Sequence, residues 1–130
     1  ALAAGGEVIG VIPGTLAEGG LRHPAVVDMR VVDSMHARKS EMARLSDAFA
    51  ALPGGFGTLE ELFEIVTWHQ LGLHSKPVGV LNAGGWFDPA SALVAQLAAL
   101  DFIPASLAEA LVIDCDPERL LARLAEGMAR

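Results

Sequence analysis

Two groups of residues in this chain carry chemistry suited to a small anionic molecule. The denser is Pro53-Gly54-Gly55-Phe56-Gly57-Thr58-Leu59-Glu60-Glu61. It lies between a predicted strand and a predicted helix, where backbone N–H groups and the helix dipole converge on an anion. Glycines leave those N–H groups uncovered, so a phosphate can approach them closely. No Lys-Ser or Lys-Thr pair follows, so this is not a Walker loop, and the GxGxxG spacing of a dinucleotide fingerprint is absent. The spacing Thr58-x-x-Glu61 also fits a capping box, with Thr58 at the N-cap and Glu61 reaching back from the third helical position. Three glycines exceed what one cap needs, which favours the phosphate cradle. The second group is Asp33 to Met42. Arg38 falls between Met35 and Met42 on the face that periodicity turns inward, and an inward guanidinium needs a partner or a ligand. Lys39 reads as its solvated neighbour and His36 as a packed or surface histidine.

These groups depend on the elements that hold them. Glu7 to Ile12 reads as a buried strand ending at Pro13-Gly14, and residues 15–29 as an irregular connection. Arg30 to Val32 is a possible short strand. Ser34 caps a helix from Met35 to Leu45. Ala48 to Leu52 is a short buried strand, Thr58 opens a helix to about Leu71, and Gly72 stops it. Pro77 to Leu81 is the next strand, followed by the loop Asn82 to Gly85. Asp88-Pro89 is a cap with proline at the first helical position, launching Ala90 to Leu100. A last strand, Ala110 to Ile113, precedes the same cap at Asp116-Pro117 and a helix from Glu118 to Ala129. Apolar strands alternating with helices predict one α/β domain over 1–130, a Rossmann-like doubly wound parallel sheet with helices on both faces. Ligands in such folds bind beyond the carboxyl ends of the strands.

Composition narrows the functions available. The 130 residues are 52% hydrophobic and 19% charged, which excludes a disordered chain. No apolar run is long enough to span a membrane. A net charge of −7 argues against a domain built to grip nucleic acid, so any anion site must be local. Cys115 is the single cysteine, which excludes an internal disulfide and fits a reducing cytoplasm. The four histidines are scattered without ligand spacing, so no metal and no cofactor are expected. A pyridoxal-phosphate decarboxylase would need a Schiff-base lysine, and neither Lys39 nor Lys76 lies in a suitable loop. A non-enzymatic nucleotide carrier remains open, although a carrier needs the glycines and has no use for Arg38 with Glu61. Leu62, Phe63, Ile65, Val66 and Trp68 are more large apolar residues than one buried stripe holds, which predicts a homodimer. Ala1 to Gly6 reads as the tail of a helix, so the numbering is expected to open partway through a domain.

Pro53 to Glu61, as PGGxGTxxE, and Met35 to Lys39, as MHxRK, together closely resemble the hallmark of the Lonely Guy family, and the likeness runs from VIGVIP to the final helix. That resemblance implies a cytokinin riboside 5′-monophosphate phosphoribohydrolase. Such an enzyme cleaves the N-glycosidic bond of a nucleotide to free base and ribose 5-phosphate, and AMP is commonly accepted. Family members were long mislabelled lysine decarboxylases. The resemblance places the catalytic pair on Arg38 and Glu61, and substrate contacts on Lys39, Gly54, Gly55, Phe56, Gly57, Thr58, Leu59, Glu60 and Thr67. It puts Gly20 where many members have a glutamate, with Glu18 and Asp28 nearby. It also implies that the family's first strand and its upstream Gly-rich loop, which line the base side of the pocket, precede Ala1. Bond cleavage develops positive charge on the ribose, which a carboxylate such as Glu61 stabilises or meets with an activated water. Arg38 has three open roles: orienting Glu61, clamping phosphate, or assisting the departing base.

Overall fold

The computed structural model describes residues 1–129, which divide into two compact units, Ala1–Ser46 and the residues from Asp47 onward. In the first unit a 3-10 turn, Leu2–Ala4, precedes strand β1, Ile9–Pro13. β1 pairs in parallel with β2, Asp28–Val32, in the register Ile9 to Asp28 through Pro13 to Val32. Residues 15–29 are not wholly irregular as expected. A short helix α1, Gly14–Glu18, opens this segment, because the bend at Pro13-Gly14 lets one helical turn form before Gly19 ends it. Helix α2, Met35–Leu45, packs on β1 and β2, and the Ser34 hydroxyl accepts from the Ala37 amide as its cap.

Glu41 of α2 ties that helix to the sheet. Its carboxylate accepts from Arg44 at 2.7 Å and, across to β2, from Arg30 at 2.8 Å. These two guanidinium bonds, Arg44's first, pull the Glu41 carboxyl down to about 2. The folded value lies below the unfolded one, so the stabilisation is whole above the ordinary carboxylate range and is lost as pH falls from there towards 2. Denaturant midpoints measured from pH 6 to pH 2 are expected to fall less steeply for Glu41→Gln than for the wild type. Parallel curves would exclude the tie as a source of acid sensitivity.

The second unit is a three-stranded parallel sheet, β3 (Phe49–Ala51), β4 (Val78–Leu81) and β5 (Leu111–Asp114), in that spatial order. Side chains alternate along β4 between the two faces. Val78 and Val80 join Leu62 and Phe87 in a buried cluster, with Leu59, Ile65, Val66 and Ala90 packed around it. These residues come from helices α3 (Phe56–Gln70) and α4 (Asp88–Ala99) and the turn before α4. Gly79 faces the other way, where α6 (Pro117–Met128) lays Leu120 and Leu124 on the sheet. A Cβ on Gly79 would lie 2.9 Å from both the Leu120 side chain and the Val112 carbonyl, so glycine is what lets α6 sit this close. The predicted parallel α/β arrangement with helices on both faces is therefore present in this unit. The five strands form two hydrogen-bonded ladders, β1–β2 and β3–β4–β5, each belonging to one unit.

Other expectations shift. A helix α5, Ala105–Ala110, was not foreseen, since its six residues are too few for a periodic pattern and it is held by packing on α4 and β5. Asp88 is the first residue of α4, not its cap; Phe87 stands at the N-cap and Pro89 at the second position, because the Asp88 carboxylate is turned towards Asn82. Of the five apolar residues from Leu62 to Trp68, only Phe63 is exposed; the rest are at least half-covered. Among the described residues no helix is long and apolar enough to cross a membrane.

Candidate active site

The glycine loop follows β3 at the carboxyl edge of the sheet and runs into α3. The helix begins three residues earlier than the capping-box spacing predicted. Gly55 is the N-cap, Thr58 lies inside the first turn, and no side chain caps the helix. The capping box is thus absent: the Thr58 amide donates to the Gly55 carbonyl at 3.0 Å, and Glu61 sits in the second turn, beyond the capping position. Glu61 is left to some role other than capping.

The three glycines are not equivalent. A Cβ on Gly54 would lie 3.2 Å from the Thr58 Cβ and overlap its hydroxyl, so Gly54 is required by how the loop folds back on Thr58. Gly55 and Gly57 have nothing within 4 Å of where a Cβ would stand, and neither has a positive φ. Internal packing and backbone conformation do not require glycine at either position. Bare backbone facing open space at a helix N-terminus, where the Phe56 and Gly57 amides precede the first intrahelical bond, is a cradle for an anion. Phe56 between them is 93% exposed. Gly57 and Glu61 are four residues apart on one flank of α3, so Glu61 stands just over one turn, about 6 Å, along the helix from that bare backbone. Leu59 turns inward to the core, Glu60 is exposed and Glu61 half-buried.

Thr67 is eleven residues past Phe56 on α3, about 16 Å along the axis. Its hydroxyl donates to the Phe63 carbonyl at 2.7 Å, and it lines an apolar cavity of about 150 Å³ between α3, α4 and α5. Thr67 is therefore not brought beside the loop. Arg38 and Lys39 lie on α2 of the first unit, both half-buried, while His36 is exposed. The inward reading of Arg38 is met to that extent, although Met35 is exposed and α2 has no fully buried residue. At the end of β5 the Arg119 guanidinium and then the Asp116 amide hold the Asp114 carboxyl below its usual range. Arg119 and Arg123, at 3.0 and 3.6 Å, are committed to Asp114.

Residues 1–124 match the family model described as possible lysine decarboxylase, the grouping that includes the Lonely Guy proteins. The chain belongs to the Lonely Guy family. Among its relatives, a probable cytokinin riboside 5′-monophosphate phosphoribohydrolase of Oryza sativa subsp. japonica is 51% identical over 122 residues, 94% of this chain and 54% of the relative. A cytokinin riboside 5′-monophosphate phosphoribohydrolase of the same plant is 44% identical over 94% of this chain and 50% of its own length. One of Arabidopsis thaliana is 45% identical over 94% and 57%. This Lonely Guy chain spans about half the length of the curated relatives it matches.

Proposed function

We propose that this chain belongs to an enzyme that hydrolyses the N-glycosidic bond of a purine nucleoside 5′-monophosphate, a cytokinin riboside monophosphate or AMP, to free base and ribose 5-phosphate. The observation that carries the proposal is the open space at Gly55 and Gly57, two glycines that internal packing does not require, one turn from Glu61. The names of the relatives supply the reaction class. With the 5′-phosphate on the loop amides, the bond path from phosphorus through O5′, C5′, C4′ and O4′ to C1′ covers a distance comparable to one helical turn. Glu61 then stands near the anomeric carbon.

In the step itself the C1′–N9 bond breaks, its electron pair leaves with the base, water oxygen adds to C1′, and one proton of that water ends on the freed base. Glu61 stabilises the oxocarbenium-like charge or takes the proton from that water. The phosphate grip orients the reacting carbon without touching it. The family likeness assigns Arg38 as the second catalytic residue, and Lys39, the residues from Gly54 to Glu60 and Thr67 as substrate contacts. We place both units in one nucleotide-hydrolase domain working as a homodimer in a reducing cytoplasm. Phe63, exposed on α3, offers apolar surface to the second copy.

Incubation of the full chain with AMP and with isopentenyladenosine monophosphate is expected to yield free base and ribose 5-phosphate. Tight binding with no base released would make the protein a carrier instead. Sedimentation at micromolar concentration is expected to give a dimer, and a stable monomer would remove that part of the reading.

A further inference from the structure

The loop after β4 lies beside the loop after β3, because the two strands are hydrogen-bonded neighbours with Ala51 opposite Val80. Its first residue, Asn82, is bonded on both ends of its side-chain amide. The Oδ1 accepts from the Phe87 amide at 2.8 Å, and the Nδ2 donates to Asp88 Oδ1 at 2.7 Å. Between them the chain turns through Gly84 and Gly85, both at positive φ, and a Cβ on Gly85 would stand 2.6 Å from the other Asp88 oxygen. The loop is thus closed on itself by one asparagine, one aspartate and two left-handed glycines.

What this closure seats is Phe87. Its amide is held by Asn82, its carbonyl accepts from both the amide and the hydroxyl of Ser91, and its ring is 1% exposed. That ring packs in the cluster with Leu62, the residue next to Glu61 on α3. We infer that Asn82 is a positioning residue for the reaction: by clamping Phe87 it fixes the second turn of α3, and with it the Glu61 carboxylate. The inference rests on the function proposed above. Asn82 and Phe87 carry no charge, so the clamp is assigned to the carboxylate's placement and not to phosphate affinity.

The test is a reciprocal exchange in the full chain. Asn82→Asp sets two carboxylates face to face and breaks the clamp. Asn82→Asp with Asp88→Asn rebuilds it, since the new amide at 88 donates to the new carboxylate at 82, which still accepts from Phe87. For Asn82→Asp, kcat with AMP is expected to fall roughly 10- to 100-fold, the usual cost of a misplaced catalytic group. Inhibition by ribose 5-phosphate should stay within about twofold, because the cradle is untouched. Amide hydrogen exchange over residues 59–63 should quicken, and the double variant should recover both kcat and protection. Unchanged exchange at 59–63 would overturn the inference, as would a double variant no better than the single. A wild type that releases no base from any nucleotide would instead overturn the reaction proposed above, while the exchange measurement still decides whether Asn82 fixes α3.

Discussion

Glu61→Gln is expected to bind a nucleoside monophosphate about as tightly as the wild type and to release almost no base. The amide keeps the size and most of the hydrogen-bonding reach of the carboxylate but not its charge, and the charge matters chiefly when the ribose becomes cationic. A positioned acid or base contributes typically ~10²–10⁴-fold, so a loss of about 3–5 kcal/mol of transition-state stabilisation is the scale to look for. Had Glu61 closed a capping box, a fall in activity could be blamed on a frayed helix. The start of α3 at Phe56 removes that explanation, because Glu61 lies in the second turn, beyond the capping position. Turnover within tenfold of the wild type would end the catalytic role of Glu61, whatever its effect on binding.

Removing the 5′-phosphate from the substrate should be as damaging as removing the carboxylate. Adenosine is expected to be cleaved with kcat/KM lower than AMP by roughly 10²-fold or more, since two charge-assisted contacts at about 1.5–3 kcal/mol each are lost. The grip lies away from the bond that breaks, so kcat should fall along with the rise in KM. A protein-side variant separates the cradle from the fold. Gly57 is helical with open space around it, so Gly57→Ala should leave stability unchanged or raise it by up to about 1 kcal/mol. The added methyl should nonetheless weaken AMP binding and turnover. Gly54→Ala should be damaging in another way, by displacing Thr58 and lowering the melting temperature. Equal kcat/KM for adenosine and AMP, or a Gly57→Ala enzyme as active as the wild type, would leave the loop a structural turn and take the phosphoribohydrolase reading with it.

Much of this was legible in the order of residues because it is governed by bonds between near neighbours. Ser34 caps α2 and Asp116 caps α6 as expected, each through an oxygen accepting from the amide three residues on. Gly72 follows the end of α3 at positive φ, where an L side chain would be strained. The apolar strands and their parallel pairing follow from strand–helix alternation, and the two motifs around Arg38 and Glu61 are contiguous strings that need no structure to be seen. What the tertiary structure alone decided is how each of those residues is used. Whether Thr58 caps α3 depends on Gly54 having room for its side chain, and that is a question of where the loop folds back. Which glycines serve the fold and which leave space for a ligand cannot be read from three identical letters; it depends on atoms brought near by the rest of the chain. The contact of Phe87 with Leu62 joins residues from separate elements through packing, and neither periodicity nor local propensity carries a term for that.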